Sequence, residues 1–448
     1  MFDKTDPSIF EGDWTFEKTE RAVLGLCKIL DHYAHKLTLD DLKNDPRCAK
    51  IPDLSLERVQ EVIADVEAKL WRGVKPIDNE VIYHTGPHHD DIMLGIMPFI
   101  MRQLRSPHNQ VHFAIMTSGF HSVTDEFLLE ALFDTLSLLR RGLIQMVNYP
   151  DFFEQGYRFK QEKDIHHYLD NVARKNPHEM RRGFCHRILR DTVGLWHLKS
   201  VTELEQRLEI EIESLQKGLP NSPELQQLKG QVREFEEELV WAYAGTALDH
   251  IHHLRLGLYN DSSSSVIAGE DPQSPKAWSP NRQRDVEPIL TQLRAIHPTV
   301  ITVAMDSVGL APKTHYKVMQ TIAEAVRLWN EEEDLSKLRI FGYRNVWSTY
   351  HPAEANVYVP VSLNTMAVFE KAFKDSYLTQ VKAEFPNPDF DGPFSELAEQ
   401  IWAKQYKDIQ LILGKDFFYE NAHPLVRATH GLLFLKEMTV KEFLSETM

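Results

Sequence analysis

One short segment of the chain joins a predicted strand to a predicted helix through a turn rich in histidine and aspartate. The segment reads Tyr83-His84-Thr85-Gly86-Pro87-His88-His89-Asp90-Asp91-Ile92. The apolar run that starts at Val81 predicts the strand, and the apolar run over residues 93–101 predicts the helix. Open α/β sheets bind their ligands where a strand feeds a helix. The sequence therefore predicts an α/β fold with a ligand site at this turn.

Three side chains of this turn have the chemistry of a metal site. His88 and Asp91 lie three residues apart at the start of the predicted helix, so both can point at one ion. Zinc binds imidazole nitrogen and carboxylate oxygen in the same site, and the adjacent Asp90 is then left over as a base. The alternative is that Asp90 and Asp91 lie here only because the helix dipole favours acids in the first turn.

Composition narrows the class of protein. The 448 residues include 66 acids and 50 bases, giving a net charge of −16, and an acidic surface repels phosphate backbones. We therefore expect no nucleic acid as the main partner. The three cysteines are scattered, no signal peptide is visible, and the longest apolar run, residues 92–101, is far shorter than the roughly 20 residues of a membrane span. These features predict a cytoplasmic protein without a membrane partner.

The hydrophobic pattern predicts two regions. Residues 1–76 carry two amphipathic helical patterns and are expected to form an N-terminal helical extension. Residues 77–448 alternate strand and helix patterns, which predicts a Rossmann-like, mostly parallel sheet with helices on both faces. The predicted strands are residues 81–84, 111–116, 251–258, 300–305, 338–343 and 357–361.

A long insertion of helical pattern, about residues 125–245, separates the second predicted strand from the third. Ser200 with Glu203, and Ser222 before Pro223, are typical of helix N-termini. The insertion is expected either to cover the site or to form an arm for a homo-oligomer, and helical periodicity does not decide between them. The Ser- and Pro-rich residues 261–284 are predicted to be a loop.

The strand, the Gly-Pro-His-His-Asp-Asp turn and the helix together resemble the LmbE/PIG-L family of zinc-dependent de-N-acetylases. These enzymes have a Rossmann-like fold, act on N-acetylglucosamine-containing substrates, and usually carry the motif Ala-His-Pro-Asp-Asp-Glu. The resemblance implies that His88 and Asp91 bind zinc and that Asp90 is the general base. It also implies a third ligand, a histidine that opens a later helix, and His315 matches that position at the end of residues 306–315.

The resemblance covers about residue 79 to the C-terminus. Residues 232–256 look like the family's Arg- and Glu-containing helix before its third strand, and residues 339–347 look like a late strand of larger relatives. Those relatives are long bacterial proteins labelled glucosamine-6-phosphate deaminase, which carry a region of this kind as their C-terminal half. The resemblance does not extend to their deaminase half.

Five further residues are candidate substrate contacts. Ser118 and Gly119 follow the second predicted strand, so they are expected at the same end of the sheet as the turn that carries His88 and Asp91. Arg233 matches a family arginine that holds the sugar. Arg255 and Arg344 are candidate phosphate or hydroxyl binders, because a guanidinium makes bidentate contacts, although a structural ion pair is the alternative for each arginine.

The predicted function is removal of an N-acetyl group from a small amino sugar, N-acetylglucosamine or its phosphate, by metal-activated water. Zn²⁺ is the expected cofactor, with another divalent metal as the alternative. The sequence departs from the family motif at His89, Ile92, Pro312 and Lys313. These departures keep two alternatives open: a non-catalytic metal- or sugar-binding module linked to amino-sugar metabolism, and a metal hydrolase of another amide or ester.

Overall fold

A computed structural model describes residues 7–154, 161–259, 265–266, 278–307, 309–383 and 392–447. Its main sheet has seven strands, and their order across the sheet is β3-β2-β1-β4-β5-β7-β6. The strands are β1 Val81–Gly86, β2 Gln110–Ile115, β3 Ile251–His253, β4 Val300–Ala304, β5 Arg339–Tyr343, β6 Val357–Ser362 and β7 Thr429–Met438. The first five pair in parallel, while β7 pairs antiparallel with both β5 and β6. The expectation of a Rossmann-like, mostly parallel sheet is confirmed.

Sixteen α-helices surround this sheet within the described residues. They are α1 Phe16–Leu30, α2 Leu39–Asn44, α3 Leu56–Val74, α4 Asp91–Gln103, α5 Asp125–Arg140, α6 Gln161–Ala173, α7 Pro177–Trp196, α8 Val201–Gln216, α9 Pro223–Tyr243, α10 Glu287–Ile296, α11 Lys313–Glu332, α12 Leu363–Ser376, α13 Phe394–Leu413, α14 Lys415–Tyr419, α15 Pro424–Arg427 and α16 Val440–Thr447. Neighbouring residues of β1 face opposite sides: Ile82 packs in the core with α4, α12 and α13, and Tyr83 packs in the core with α10 and α11. Helices therefore cover both faces of the sheet.

The N-terminal helices α1 and α3 pack against the edge of the sheet formed by β6 and β7. Their apolar side chains form one core with Tyr358 of β6, Phe434 of β7 and Ile409 of α13. At Gly73 of α3, an added Cβ atom would lie 1.9 Å from the carbonyl oxygen of Tyr358. The helix and the strand approach so closely at this point that only glycine fits.

The predicted helical insertion comprises the helices α5 to α9 and has a hydrophobic core of its own. Helix α8 begins after Ser200, whose hydroxyl accepts from the backbone N–H of Glu203, and α9 begins after Ser222 in the same way, with proline at its first position. The carboxylate of Glu203 accepts from the backbone N–H of Lys199, not from that of Ser200. Both predicted helix starts are confirmed.

Two details of the sheet differ from the sequence prediction. The third strand ends at His253 because Arg255 adopts a left-handed backbone conformation (φ 51°), which interrupts the predicted strand over 251–258. Strand β7 was not predicted, since a continuous apolar run does not by itself distinguish a strand from a buried helix. Most of the predicted loop over 261–284 lies outside the described residues.

Among the helices described, none is both long and apolar enough to cross a membrane. All three cysteines are buried free thiols. Burial raises the pKa of Cys27 and of Cys48 to about 12. These thiols are therefore core residues and not nucleophiles.

Candidate metal centre

The candidate site lies at the carboxyl ends of the parallel strands, between β1 and β4. In the order 3-2-1-4-5 this is the point where the chain reverses direction across the sheet, which is where such folds bind ligands. The turn after β1 carries His88, and Asp91 begins α4. The segment after β4 carries Asp306, and His315 lies in the first turn of α11. The topology thus brings together residues that are more than 200 positions apart in the chain.

Three predicted ligands form a compact triangle of donor atoms. His88 Nδ1 lies 3.2 Å from Asp91 Oδ2 and 3.2 Å from His315 Nε2, and His315 Nε2 lies 3.4 Å from Asp91 Oδ2. Within the described residues, these three form the single group of histidine, cysteine and acidic side chains with donor atoms close enough to share an ion. The structure brings the three predicted ligands together.

The triangle fits a divalent ion. A tetrahedral zinc ion with bonds of about 2.0–2.1 Å separates neighbouring donor atoms by about 3.3 Å. The measured separations of 3.2, 3.2 and 3.4 Å lie close to this value. Two neutral imidazoles and one carboxylate are also the donor types that zinc accepts, with one position left open for water.

Two residues that sequence reasoning missed orient these ligands. The carboxylate of Asp306 lies 2.8 Å from His315 Nδ1, which leaves His315 Nε2 to face the triangle. Asp306 itself accepts from the backbone N–H of Asn345 (3.0 Å) and from the hydroxyl of Ser348 (3.3 Å). The side-chain amide of Asn345 donates to Asp91 Oδ1, so that Oδ2 faces the two histidines. Asp306 lies two residues after the end of β4 and Asn345 two residues after the end of β5, and that position was the available signal.

The surroundings of the triangle favour positive charge. Burial alone would lower the pKa of His315, but the nearby carboxylates of Asp91 and Asp306 raise it to about 9. Burial likewise opposes ionisation of Asp91, and the charges and hydrogen bonds of His315 and His88 hold its pKa below the ordinary value. A cation bound here would interact with the same carboxylates.

Asp90 is not one of the three donors, and its carboxylate contacts Arg233. Its Oδ2 lies 3.3 Å from Arg233 Nη2, and its side chain keeps 15% of its exposure. Arg233 is buried on α9, where Nη1 donates to Glu236 and to Thr379 Oγ1 (2.9 Å). The arginine therefore forms an ion pair with Asp90, and its buried Nε–H has no acceptor among the described residues.

Glu237, a buried acid of α9, is linked through Tyr377 to the turn that carries His88 and His89. Glu237 contacts the hydroxyl of Tyr377 (2.6 Å), and that hydroxyl also contacts the carbonyl oxygen of His89. Burial raises the pKa of Glu237 to about 8. A protonated Glu237 can donate to Tyr377 while Tyr377 donates to the His89 carbonyl, which satisfies all three groups.

Ser118 and Gly119 lie near the turn, at the end of β2. Gly119 has a left-handed backbone (φ 62°), and an added Cβ atom would lie 2.9 Å from His89 Nδ1. Its N–H donates to the hydroxyl of Tyr259 (3.1 Å), whose ring stacks on His88 with 6.4 Å between centroids. Ser118 packs against Gly230 of α9. Gly119 and Tyr259 thus form one side of the turn.

Arg255 and Arg344 have protein partners away from the triangle. Arg255 pairs with Glu234, with 2.6 Å between Nη2 and Oε2. Arg344 donates to the carbonyl oxygens of Met305 and Thr349, pairs with Glu354 (3.1 Å), and lies over the ring of Tyr350. Their predicted role in binding phosphate or hydroxyl groups stays a prediction.

The departures from the family motif have structural consequences. Ile92 is fully buried in the core of α4, where the motif's acid would be buried without water. His89 is also fully buried, and it stacks on His253 with 5.5 Å between ring centroids. Pro312 precedes α11 and Lys313 begins it. The predicted ligand His315 is hydrogen-bonded through Nδ1 to Asp306, which lies six residues before Pro312.

We expect Asp306→Asn to lower the affinity for zinc by about 10- to 100-fold, because it weakens the hydrogen bond that orients His315 and enhances its basicity. The substitution keeps the size of the side chain, and it retains an oxygen for the Asn345 N–H. Competition with a chromophoric chelator measures the affinity. Asp249→Asn, at a carboxylate that is 83% exposed, is the matched control. Unchanged zinc affinity in Asp306→Asn would contradict this orienting role.

Comparison with known proteins gives no family for the chain: no protein-family model matches it, and no curated protein does.

Proposed function

We propose that this protein is a zinc-dependent hydrolase that removes the N-acetyl group from a small amino sugar such as N-acetylglucosamine or its phosphate. The observation that carries the proposal is the triangle of His88, Asp91 and His315, with donor atoms 3.2–3.4 Å apart and the carboxylate of Asp90 beside it. The amide and the sugar come from the resemblance of the turn to the LmbE/PIG-L motif. Another divalent metal could replace zinc at these donors.

The ligand residues would hold the ion through His88 Nδ1, Asp91 Oδ2 and His315 Nε2. When bound, the ion supplies a Lewis acid and lowers the pKa of a water to about 7. Asp90 is the carboxylate placed to accept a proton from the attacking water and to return it to the departing amine. Arg233 would hold an ion pair with Asp90 from its buried position on α9.

The proposal is tested by measuring acetate release from N-acetylglucosamine and from its 6-phosphate with zinc-loaded protein. We expect release by the wild type and none by His88→Ala, which lacks one donor of the triangle. The ratio of kcat/KM for the two sugars shows whether the phosphate is recognised.

Two other outcomes would overturn parts of the proposal. Stoichiometric zinc without acetate release would favour another amide or ester, or the non-catalytic binding module. Absence of tight metal binding would remove the metal centre itself. Asp249→Asn is the control, because the Asp249 side chain is 83% exposed; this variant should release acetate like the wild type.

The remaining parts of the proposal concern location and partners. We propose a cytoplasmic protein whose partner is the small-molecule substrate, with neither a nucleic acid nor a membrane as partner. Free, buried cysteines and the net charge of −16 support this view. The five-helix insertion remains a candidate for self-association, which sedimentation velocity would detect.

A further inference from the structure

A cavity lies near the starting ends of the parallel strands β1 and β5, and the candidate metal centre lies at the carboxyl ends of the parallel strands. Its volume is about 500 Å³, within the size range of small-molecule sites. It is bordered by the segment that leads into β1, by the last turns of α3 and α4, and by the start of β5. Strand β6 with the start of α12, the end of β7 and the short helix α15 complete the border. Because β1 and β5 are parallel, their starting ends lie away from the carboxyl ends that carry His88 and Asp306.

The lining of this cavity combines positive charge with an apolar wall. Its cations are Arg72, Lys75, Arg102, Arg105 and Arg339. Glu437 is the single acid among the described lining residues, and it pairs with Arg339 (2.6 Å). The apolar wall includes Phe99, Met101, Phe341, Val357 and Leu425. On a chain of net charge −16, such a local excess of positive charge is a distinct feature.

Four of these cations are not neutralised by carboxylates from the described part of the chain. Arg102 donates to the carbonyl oxygens of Gly73 (2.7 Å) and Pro360, and Arg72 donates to that of Asn356 (2.7 Å). Carbonyl oxygens satisfy the donors but carry no net charge. Lys75 and Arg105 are exposed at the rim.

Arg102 lies close enough to Arg105 for the two positive charges to repel each other. Burial, together with the neighbouring charge of Arg105, lowers the pKa of Arg102 to about 10. A partly buried guanidinium beside a second guanidinium is an unfavourable arrangement in the absence of negative charge. An acidic group between the two would relieve the repulsion and could accept hydrogen bonds from both.

We propose that this cavity binds an amphipathic anion, a small molecule with an acidic head group on an apolar body. The head group would lie at the guanidinium and ammonium groups of Lys75, Arg102 and Arg105, and the apolar body would lie along Phe99, Met101 and Leu425. Charged contacts orient such a ligand, and the apolar contacts supply burial. The site does not depend on the proposed hydrolase activity.

The test uses the amphipathic sulfonate 8-anilinonaphthalene-1-sulfonate as a fluorescent probe, displaced by decyl phosphate, decanoate, inorganic phosphate or decanol. We expect saturable binding that decyl phosphate or decanoate displaces at lower concentration than phosphate or decanol does. Which of the two acids displaces better identifies the head group. In Lys75→Glu/Arg105→Glu we expect about tenfold weaker probe binding, because two charges that attract the anion become repulsive.

Matched variants separate the cavity from the general surface. Lys50→Glu/Lys199→Glu makes the same change in net charge at exposed lysines outside the cavity and should bind the probe within about twofold of the wild type. Ala428→Trp fills part of the cavity without a change of charge and should also weaken binding. If Lys75→Glu/Arg105→Glu does not fold, Lys75→Gln/Arg105→Gln replaces it.

Equal probe affinity in all these proteins would overturn the proposal, as would decanol displacing the probe as well as decyl phosphate does. His88→Ala should bind the probe like the wild type, because His88 follows the carboxyl end of β1 and the cavity adjoins the segment that leads into β1. Failure of the acetate assay and failure of this binding assay are therefore distinguishable.

Discussion

Asp90→Asn should keep stoichiometric zinc and lose about 10²- to 10⁴-fold in kcat, the usual contribution of a positioned general base. Asp90 is not part of the donor triangle, and its Oδ2 faces Arg233 at 3.3 Å. Asparagine has nearly the same shape but cannot accept a proton at neutral pH. Metal content by mass spectrometry and acetate release measure the two effects in one preparation.

Asp91→Asn, one residue further along the chain, is the matched comparison for Asp90→Asn. Asp91 contributes Oδ2 to the triangle, so its substitution should reduce both metal content and release. Full activity in Asp90→Asn would remove Asp90 from the mechanism. Loss of metal in Asp90→Asn would make Asp90 a ligand, contrary to the observed geometry.

The local part of the site could be predicted because it lies within one segment. His88 and Asp91 are three residues apart in a strand–turn–helix unit, and their separation follows from the backbone of that unit alone. His315 lies in another such unit, and only the resemblance to a family motif connected it with the turn. The sheet order explains the connection, since β1 and β4 are neighbours in parallel register.

The contacts of Asp306 and Asn345 with the predicted ligands could not be predicted, because they depend on the register between strands β4 and β5. Ala304 pairs with Tyr343, which places the segment after β4 beside the segment after β5. Asp306 and Asn345 meet for that reason, and each then orients a different ligand. A sequence without a known register shows two polar residues after two strands, which is a common pattern in any parallel sheet.

The three arginines predicted to bind substrate have different acidic partners in the structure, and these partners also depend on the fold. A long guanidinium side chain pairs with whichever acid the fold brings within reach, and that acid is distant in sequence for Arg255, whose partner Glu234 lies on α9. Arg233, on the same helix, reaches Asp90 because α9 packs close to the turn after β1. Sequence alone gave the same prediction, substrate binding, to all three arginines.

Arg187→Met should destabilise the fold by about 3–5 kcal/mol, the usual cost of removing one partner from a buried ion pair. The Arg187 side chain is 2% exposed and contacts Glu238 (2.8 Å) and Asp191 (3.1 Å). Glu238 in turn lies 3.7 Å from His253, whose ring stacks on that of His89, the neighbour of the predicted ligand His88. Removal of Arg187 should therefore also disturb the candidate site, because Glu238 of α9 contacts both Arg187 and His253. Urea unfolding and hydrogen exchange of α7 and α9 measure it.

The control for this effect is Arg140→Met, which removes the half-exposed pair between Arg140 and Glu209. Water solvates Glu209 when its partner is removed, so the free energy of unfolding should hardly change. The Glu238 side chain is only 11% exposed, against 51% for Glu209, so water can compensate far less for the loss of Arg187. If both variants unfold at the same urea concentration as the wild type, the buried charges of the insertion contribute little, and α9 must be held in place by its apolar core alone.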